Sequence, residues 1–150
     1  MSNIKPYIPQ DSNLLQEKFI NCIMKRGKKS IARKIFKATL RTMAERGAKN
    51  PEKTFEIAVT NVKPSLEVRP KRIAGAVYQI PMEVTPKRQQ MLAFRWLLDS
   101  AREKKGKEMS DRLAGELMEA AESIGNAVKK KEDSHRMAAA NKAFAHFARF

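Results

Sequence analysis

One hundred and fifty residues suit a single compact domain, and with 42% of them hydrophobic the chain can bury a substantial core. Thirty-one Lys and Arg against sixteen Asp and Glu leave a formal charge of +15, which calls for a polyanionic partner, nucleic acid first. No apolar run reaches the roughly 20 residues that cross a bilayer, and a single cysteine, Cys22, excludes an internal disulfide and any cysteine-based metal site.

With only 7% aromatic residues, the core is expected to be mostly aliphatic, Ala and Met. Residues 1–11 hold Pro6 and Pro9 without periodicity and read as an irregular arm, with neither the apolar core of a signal peptide nor an Arg/Ser-rich transit pattern. Asp11, Ser12 or Asn13 can cap a first helix running to about Arg26, with Leu15, Phe19, Cys22 and Ile23 on one face and Gly27 as its stop. A second helix runs from Lys28-Lys29-Ser30 to near Gly47. Ala32, Phe36, Leu40 and Met43 form its apolar stripe, with Ile31 and Ile35 beside them, and Arg33, Lys37 and Arg41 step by four along another face. Asn50-Pro51-Glu52 is a cap, a proline at the first helical position and an acid in the first turn. It starts a third helix that buries Phe55, Ala58, Val59 and Val62 and stops at Pro64.

From Leu66 the period changes from helical to alternating. Leu66 and Val68 alternate with Glu67 and Arg69, and Tyr78, Ile80, Met82 and Val84 alternate with Gln79, Pro81 and Glu83, so residues 66–84 read as a β-hairpin turning at Ala74-Gly75-Ala76. Pro81 forbids a central strand, and the ribbon is expected to stand free, with Arg69, Lys71 and Arg72 towards its tip. Thr85-Pro86 starts a fourth helix to about Lys105 that buries Met91, Phe94, Leu98 and Ala101. Lys104, Lys105 and Lys107 follow, suited equally to the helix dipole and to phosphate. A fifth helix spans about Met109 to Ile124, with Leu113, Leu117, Ala120, Ala121 and Ile124 inward and Asp111, Glu116, Glu119 and Glu122 in solvent. A sixth is expected from Glu132 or Asp133, with Met137, Ala140, Phe144 and Phe147 as its seam. The fold class is mainly α: six helices in one domain, with a protruding β-hairpin between the third and fourth.

Catalytic constellations are missing from the sequence. His135 and His146 have no cysteine or paired carboxylate at ligand spacing, so satisfied hydrogen bonding is the better reading of both, and no metal or cofactor is expected. Cys22 sits on an apolar helix face, where a thiol is inert. Gly27-Lys28-Lys29-Ser30 lacks the earlier glycine of a phosphate loop and follows a helix rather than a strand. Nothing assembles a nucleophile, a base and an orienting partner.

The end of the chain carries the most specific signal. Ala127-Val128-Lys129-Lys130-Lys131-Glu132-Asp133-Ser134-His135-Arg136-Met137, then Ala140-Asn141-Lys142-Ala143-Phe144-Ala145-His146-Phe147, resembles the C-terminal signature of bacterial-type small-subunit ribosomal protein seven. The resemblance extends through Gly27-Lys28-Lys29 with Ile35-Phe36, through Val68-Arg69, Lys71-Arg72, Gly75 and Tyr78-Gln79-Ile80-Pro81, and through Arg95-Trp96 and Ala101-Arg102. It implies a six-helix protein with a hairpin that binds the 3′ major domain of small-subunit rRNA and nucleates folding of the subunit head. It also implies a place on the exit-site side, in the ribosomes of a bacterial cytoplasm or of a plastid or mitochondrion. The hairpin and last helix, with Arg72, Gly75, Tyr78 and Lys142, would then lie near exit-site tRNA and mRNA, and small-subunit proteins nine and eleven would be neighbours. The chain departs from the family pattern in offering only Lys5 before Lys18 where an arginine-rich arm is usual. It also has Ala74 in place of the first of two glycines, Ala76-Val77 in place of small hydroxylated residues, and Ala139 where an acid is common.

Lys and Arg bind RNA by displacing condensed counterions, and a rigid body that spaces them can match a multi-helix junction by shape. The residues placed by the family motifs are Lys28 and Lys29, Arg69, Lys71 and Arg72, Arg95 and Arg102, and Lys129, Lys130, Lys131 and Arg136; Arg33, Lys37 and Arg41 are placed by periodicity. The rival class is a helical DNA-binding regulator, which needs an exposed recognition helix and usually a dimer. The dispersed charge and the inserted ribbon fit it poorly, and a membrane-surface role is weaker still, because the apolar seams are needed for the core.

Overall fold

The computed structural model describes residues 5–149. Six α-helices and one hairpin follow in the expected order: α1 Leu14–Ile23, α2 Lys29–Glu45, α3 Pro51–Val62, β1 Leu66–Ile73, β2 Ala76–Glu83, α4 Pro86–Glu103, α5 Met109–Ala121 and α6 Asn126–Ala140, then a terminal 3-10 helix, Lys142–Arg149. The expected arm falls partly outside the described residues; positions 5–11 form neither helix nor strand.

Local chemistry accounts for three of the six helix starts. The Asn13 side chain accepts the Gln16 amide at 2.9 Å and that of Asn50 accepts the Lys53 amide at 3.1 Å. Pro51 and Pro86 open α3 and α4, where a missing N–H costs nothing. Three ends differ from expectation. Helix α1 stops at Ile23 rather than Arg26, because the backbone turns at Met24 and Arg26 and Gly27 both take positive φ. Helix α5 stops at Ala121, and Ser123 (φ 59°) turns Ile124 into solvent. Helix α6 begins six residues or more before Glu132, since its N-terminus is capped across the fold by Glu116, whose carboxylate accepts the Ala127 amide at 2.9 Å.

Four phenylalanines form the centre of the core, one from each of α1 to α4. Phe19 lies 5.8, 5.0 and 5.1 Å, ring centre to ring centre, from Phe36, Phe55 and Phe94, and Phe36 and Phe55 are 5.3 Å apart. The expected mostly aliphatic core is found: apart from these four rings, the cluster is built of Ala, Val, Ile, Leu and Met packed around them. Helix α5 runs against α2, α3 and α4 and seals them with Leu113, Leu117 and Ala120. In α4 the buried face is Leu92, Ala93, Phe94, Leu97, Leu98 and Ala101, which leaves Met91 45% exposed. Ile31 and Met137, expected on apolar faces, are likewise half exposed.

The hairpin pairs Leu66 with Glu83 through Ile73 with Ala76, and a two-residue turn of Ala74 (φ 49°) and Gly75 (φ 83°) joins the strands. Both central residues at positive φ make the turn that suits the twist of a hairpin. Both strands are edges, so Pro70 and Pro81 are tolerated. The ribbon does not stand free as expected. Ser134 Oγ donates to the Leu66 carbonyl at 3.2 Å and the Ser65 amide donates to His135 Nε2 at 3.0 Å, tying α6 to the hairpin base. Further out, the Tyr78 ring lies 5.3 Å from Phe144 and 5.0 Å from Phe147. Those two phenylalanines belong to the terminal 3-10 helix and not to a seam of α6, which ends at Ala140.

Candidate nucleic-acid interface

Ordinary folding pairs basic groups with acids, so the informative cations are those left over. Around the first interhelix turn, the nearly buried Glu17 carboxylate receives Arg33 at 2.5 and 3.1 Å and lies 3.4 Å from the Lys29 ammonium. The hydrogen bonds from Arg33 hold the Glu17 carboxyl below its ordinary range despite the cost of burial. Lys37 bonds Asp11 at 2.6 Å and pulls that carboxyl down too. Two of the three members of the α2 stripe thus serve contacts to the segment before them. Arg41 and Lys28 are exposed and make no ion pair among the described residues.

On the hairpin β2 turns Tyr78, Ile80 and Met82 inward as expected, but the alternation of β1 runs opposite to expectation. Glu67 and Ile80 are the buried members, so Glu67, Arg69 and Lys71 share the body-facing side with Ile80 and Tyr78, while Arg72 lies on the other side. Glu67 receives Arg88 Nε at 2.7 and 3.0 Å and Arg69 Nε at 2.7 Å. The Arg88 bond is the main reason its carboxyl is depressed, with burial opposing and Arg69 adding. Lys71 lies 3.5 Å from the Phe147 carbonyl oxygen. The three basic residues towards the tip therefore do not make one surface: Arg69 and Lys71 turn to the body, and only Arg72 points away from it.

Arg95 and Arg102 of α4 come together with Cys22 of α1, Met91, Leu98 and Asp99 around a cleft of 330 Å³. Arg102 sits 3.8 Å from Asp99, and Arg95 has no acid partner among the described residues. Burial pushes the Cys22 thiol up, and the positive Arg102 and Arg95 offset only part of that. In the turn between α4 and α5, Lys104 points inward to Glu116 and Glu119, both at 3.1 Å. Burial works against its charge, but those two carboxylates outweigh it and raise the pKa above the ordinary lysine value. Lys105 and Lys107 remain outside and line an open 420 Å³ cleft with Arg46 and Arg112, two residues the sequence reading did not single out. Neither had a local signal: Arg46 reaches Asp111, and Arg112 donates to the carbonyls of Arg102 and Lys104, across elements distant in the chain or around a bend.

Along α6, Lys130 bonds Glu103 at 3.0 Å, Lys131 donates to the Asn61 carbonyl at 2.9 Å, and Arg136 pairs with Asp133. Lys129 is exposed without an acid partner among the described residues, and Lys142 borders an apolar groove of 690 Å³ between the hairpin base and the terminal 3-10 helix. The acids of α5 are not all solvated as expected. Glu116 is fully buried, and Gly125 (φ 97°) faces it so closely that an added Cβ would lie 3.2 Å from its Oε1 and 3.1 Å from Glu119.

His135 accepts the Ser65 amide, and burial and, less, Lys131 lower its pKa from the ordinary imidazole value; His146 lies within hydrogen-bonding distance of the Ala143 carbonyl. Among the described residues no cluster of His, Cys, Asp and Glu could hold a metal ion, and no helix is long and apolar enough to cross a membrane.

A family model described as ribosomal protein S7p/S5e matches residues 2–142. The chain is 52% identical over 139 residues to small ribosomal subunit protein uS7 of Solidesulfovibrio magneticus, covering 93% of this chain and 89% of that protein. It is 48% identical to uS7 of Thermodesulfovibrio yellowstonii over the same shares. With uS7 of Chloroflexus aurantiacus it shares 52% over 145 residues, 95% of this chain and 92% of that one.

Proposed function

The chain belongs to the ribosomal protein S7p/S5e family, and on that premise we propose that its unpaired cations form a footprint for the 3′ major domain of small-subunit rRNA. As a member of that family it is a constituent of the small ribosomal subunit and works in the ribosome as a structural component rather than as an enzyme.

The observation that carries the RNA reading is how the charge is divided. Most acids near the candidate surface are engaged internally, as Glu17, Glu67, Glu116, Asp11 and Glu103 are. Of the candidate RNA-binding residues, that leaves Lys28, Arg41, Arg72, Arg95 and Lys129 exposed without an acid partner among the described residues, on the first turn, α2, the hairpin tip, α4 and α6. Cations held apart on a rigid body gain affinity from counterion release and selectivity from spacing, which suits a folded junction better than one groove of a duplex. The internally paired Arg33, Lys37, Arg69, Lys130, Lys131 and Arg136 then shape the scaffold that holds those cations in place, and Lys29, Lys71 and Arg102 stand at its margin.

On the same reading the protein binds early and nucleates folding of the subunit head. The hairpin tip with Arg72 and Gly75, together with Tyr78 and Lys142, approaches exit-site tRNA and mRNA, and small-subunit proteins nine and eleven adjoin it. Competition decides between this and a DNA-binding regulator. A structured head-domain rRNA fragment is expected to displace labelled RNA at far lower concentration than duplex DNA of equal phosphate content. Equal displacement by both would refute shape-selective RNA binding.

A further inference from the structure

The cleft between α1 and α4 does not look like a plain phosphate site. Its floor is apolar: Leu98 is buried, Cys22 is half-buried, and Met91 is 45% exposed. Its rim carries two arginines two turns apart, Arg95 and Arg102, with the Asp99 carboxylate between them. A surface built only to hold phosphates gains nothing from an acid beside its arginines or from uncovered thioether and thiol groups. An unstacked base needs both: an apolar face to lie on and polar groups for its edge, with cations for the phosphates on either side.

We propose that this cleft receives one splayed rRNA base that carries an exocyclic amine. The base lies against Met91, Cys22 and Leu98, Asp99 accepts the amine, and Arg95 and Arg102 hold the flanking phosphates. A volume of 330 Å³ is within the range of small-ligand pockets and admits a single base. A carboxylate accepts an amino N–H and repels a carbonyl oxygen, so uracil, whose one edge donor, N3–H, lies between two carbonyls, is the disfavoured base. The inference rests on the RNA-binding reading above and sharpens it at one place.

Asp99 provides a test with opposite signs. If its carboxylate merely lies near RNA, replacing it removes a repulsive charge and tightens binding. If it accepts a base amine, Asp99→Ala weakens binding of the head-domain fragment about tenfold, the scale of one good base-edge hydrogen bond. The dependence on salt should keep its slope, because the same phosphates stay neutralised. Met91→Ser, at an exposed position, is expected to weaken binding several-fold by removing part of the platform.

Because Cys22 is the sole cysteine of these 150 residues, its alkylation by a maleimide reports occupancy of the cleft in the intact chain. Hexacytidylate should protect Cys22 more strongly than hexauridylate, which differs at the relevant base edge by a carbonyl in place of the amine. Asp99→Ala should abolish that difference. Equal protection by the two oligomers in the parent, a difference that survives Asp99→Ala, or tighter fragment binding by Asp99→Ala would each overturn the base slot while leaving the RNA reading intact. Failure of the parent itself to bind the head-domain fragment would bring down both.

Discussion

Replacing Glu116 tests how the last helix is held. Its side chain is fully buried; one oxygen accepts the Ala127 amide at 2.9 Å and the other lies 3.1 Å from the Lys104 ammonium. In Glu116→Ala the second amide of α6 loses its acceptor inside the protein, which costs about 1–3 kcal/mol. Loss of the pair with Lys104 adds less, about 1 kcal/mol, since that ammonium is partly exposed and keeps Glu119. The expected total is about 3 kcal/mol, or a fall in Tm of roughly 6–12 °C for a chain of this size. Glu116→Gln keeps an oxygen for the amide and gives up only the charge, so it should cost about 1 kcal/mol. Urea and thermal unfolding followed by circular dichroism measure both. A cost below about 0.5 kcal/mol for Glu116→Ala, or equal damage from Gln and Ala, would refute the capping account.

Ala74 sits at φ 49°, a strain of about 1–2 kcal/mol for a residue with a Cβ, so Ala74→Gly should stabilise the protein by about 0.5 kcal/mol after the entropy of the unfolded chain is counted; a lower urea midpoint would contradict the turn assignment. Glu17 is held below its ordinary value of 4.5 in the folded state, mainly by Arg33, so its stabilisation is complete above about pH 4.5 and is lost as pH falls through the lower folded value. Unfolding midpoints measured between about pH 7 and pH 3 should fall more steeply in the parent than in Arg33→Met, and parallel curves would contradict the pairing. Phe147→Ala removes a ring 5.0 Å from Tyr78, so hairpin amides should exchange with solvent faster while those of α5 do not, as hydrogen exchange can show residue by residue; unchanged hairpin protection would mean the terminal 3-10 helix does not hold the ribbon.

Features written locally were legible in the sequence. Asn13, Asn50, Pro51 and Pro86 mark helix starts through bonds and dihedrals within a few residues, and Gly75 marks the turn. The start of α6 was not legible, because its cap is a carboxylate on another helix. The inward side of β1 was misjudged for a related reason. Glu67 looks like a solvent residue until Arg88, twenty-one positions on, and Arg69 close over it. Motif and spacing put forward candidate basic residues but not which of them stay unpaired. Arg33 and Arg41 are equivalent in the α2 pattern, yet Glu17 of α1 engages one and leaves the other in solvent.

That distinction between paired and unpaired cations can be measured at constant net charge. One variant replaces Arg72, Arg95 and Lys129 with Gln; a second replaces Lys37, Lys130 and Arg136, which pair with Asp11, Glu103 and Asp133. Each gives up three positive charges, so any effect of total charge alone is the same in both. Binding of a head-domain rRNA fragment is titrated against salt for each variant and the parent. The first variant should bind more weakly and lower the magnitude of the log–log slope by about 2, from roughly 0.7–0.9 for each phosphate no longer neutralised, while the second keeps nearly the parent slope. Equal slopes for the two variants would contradict the claim that the unpaired cations form the RNA footprint.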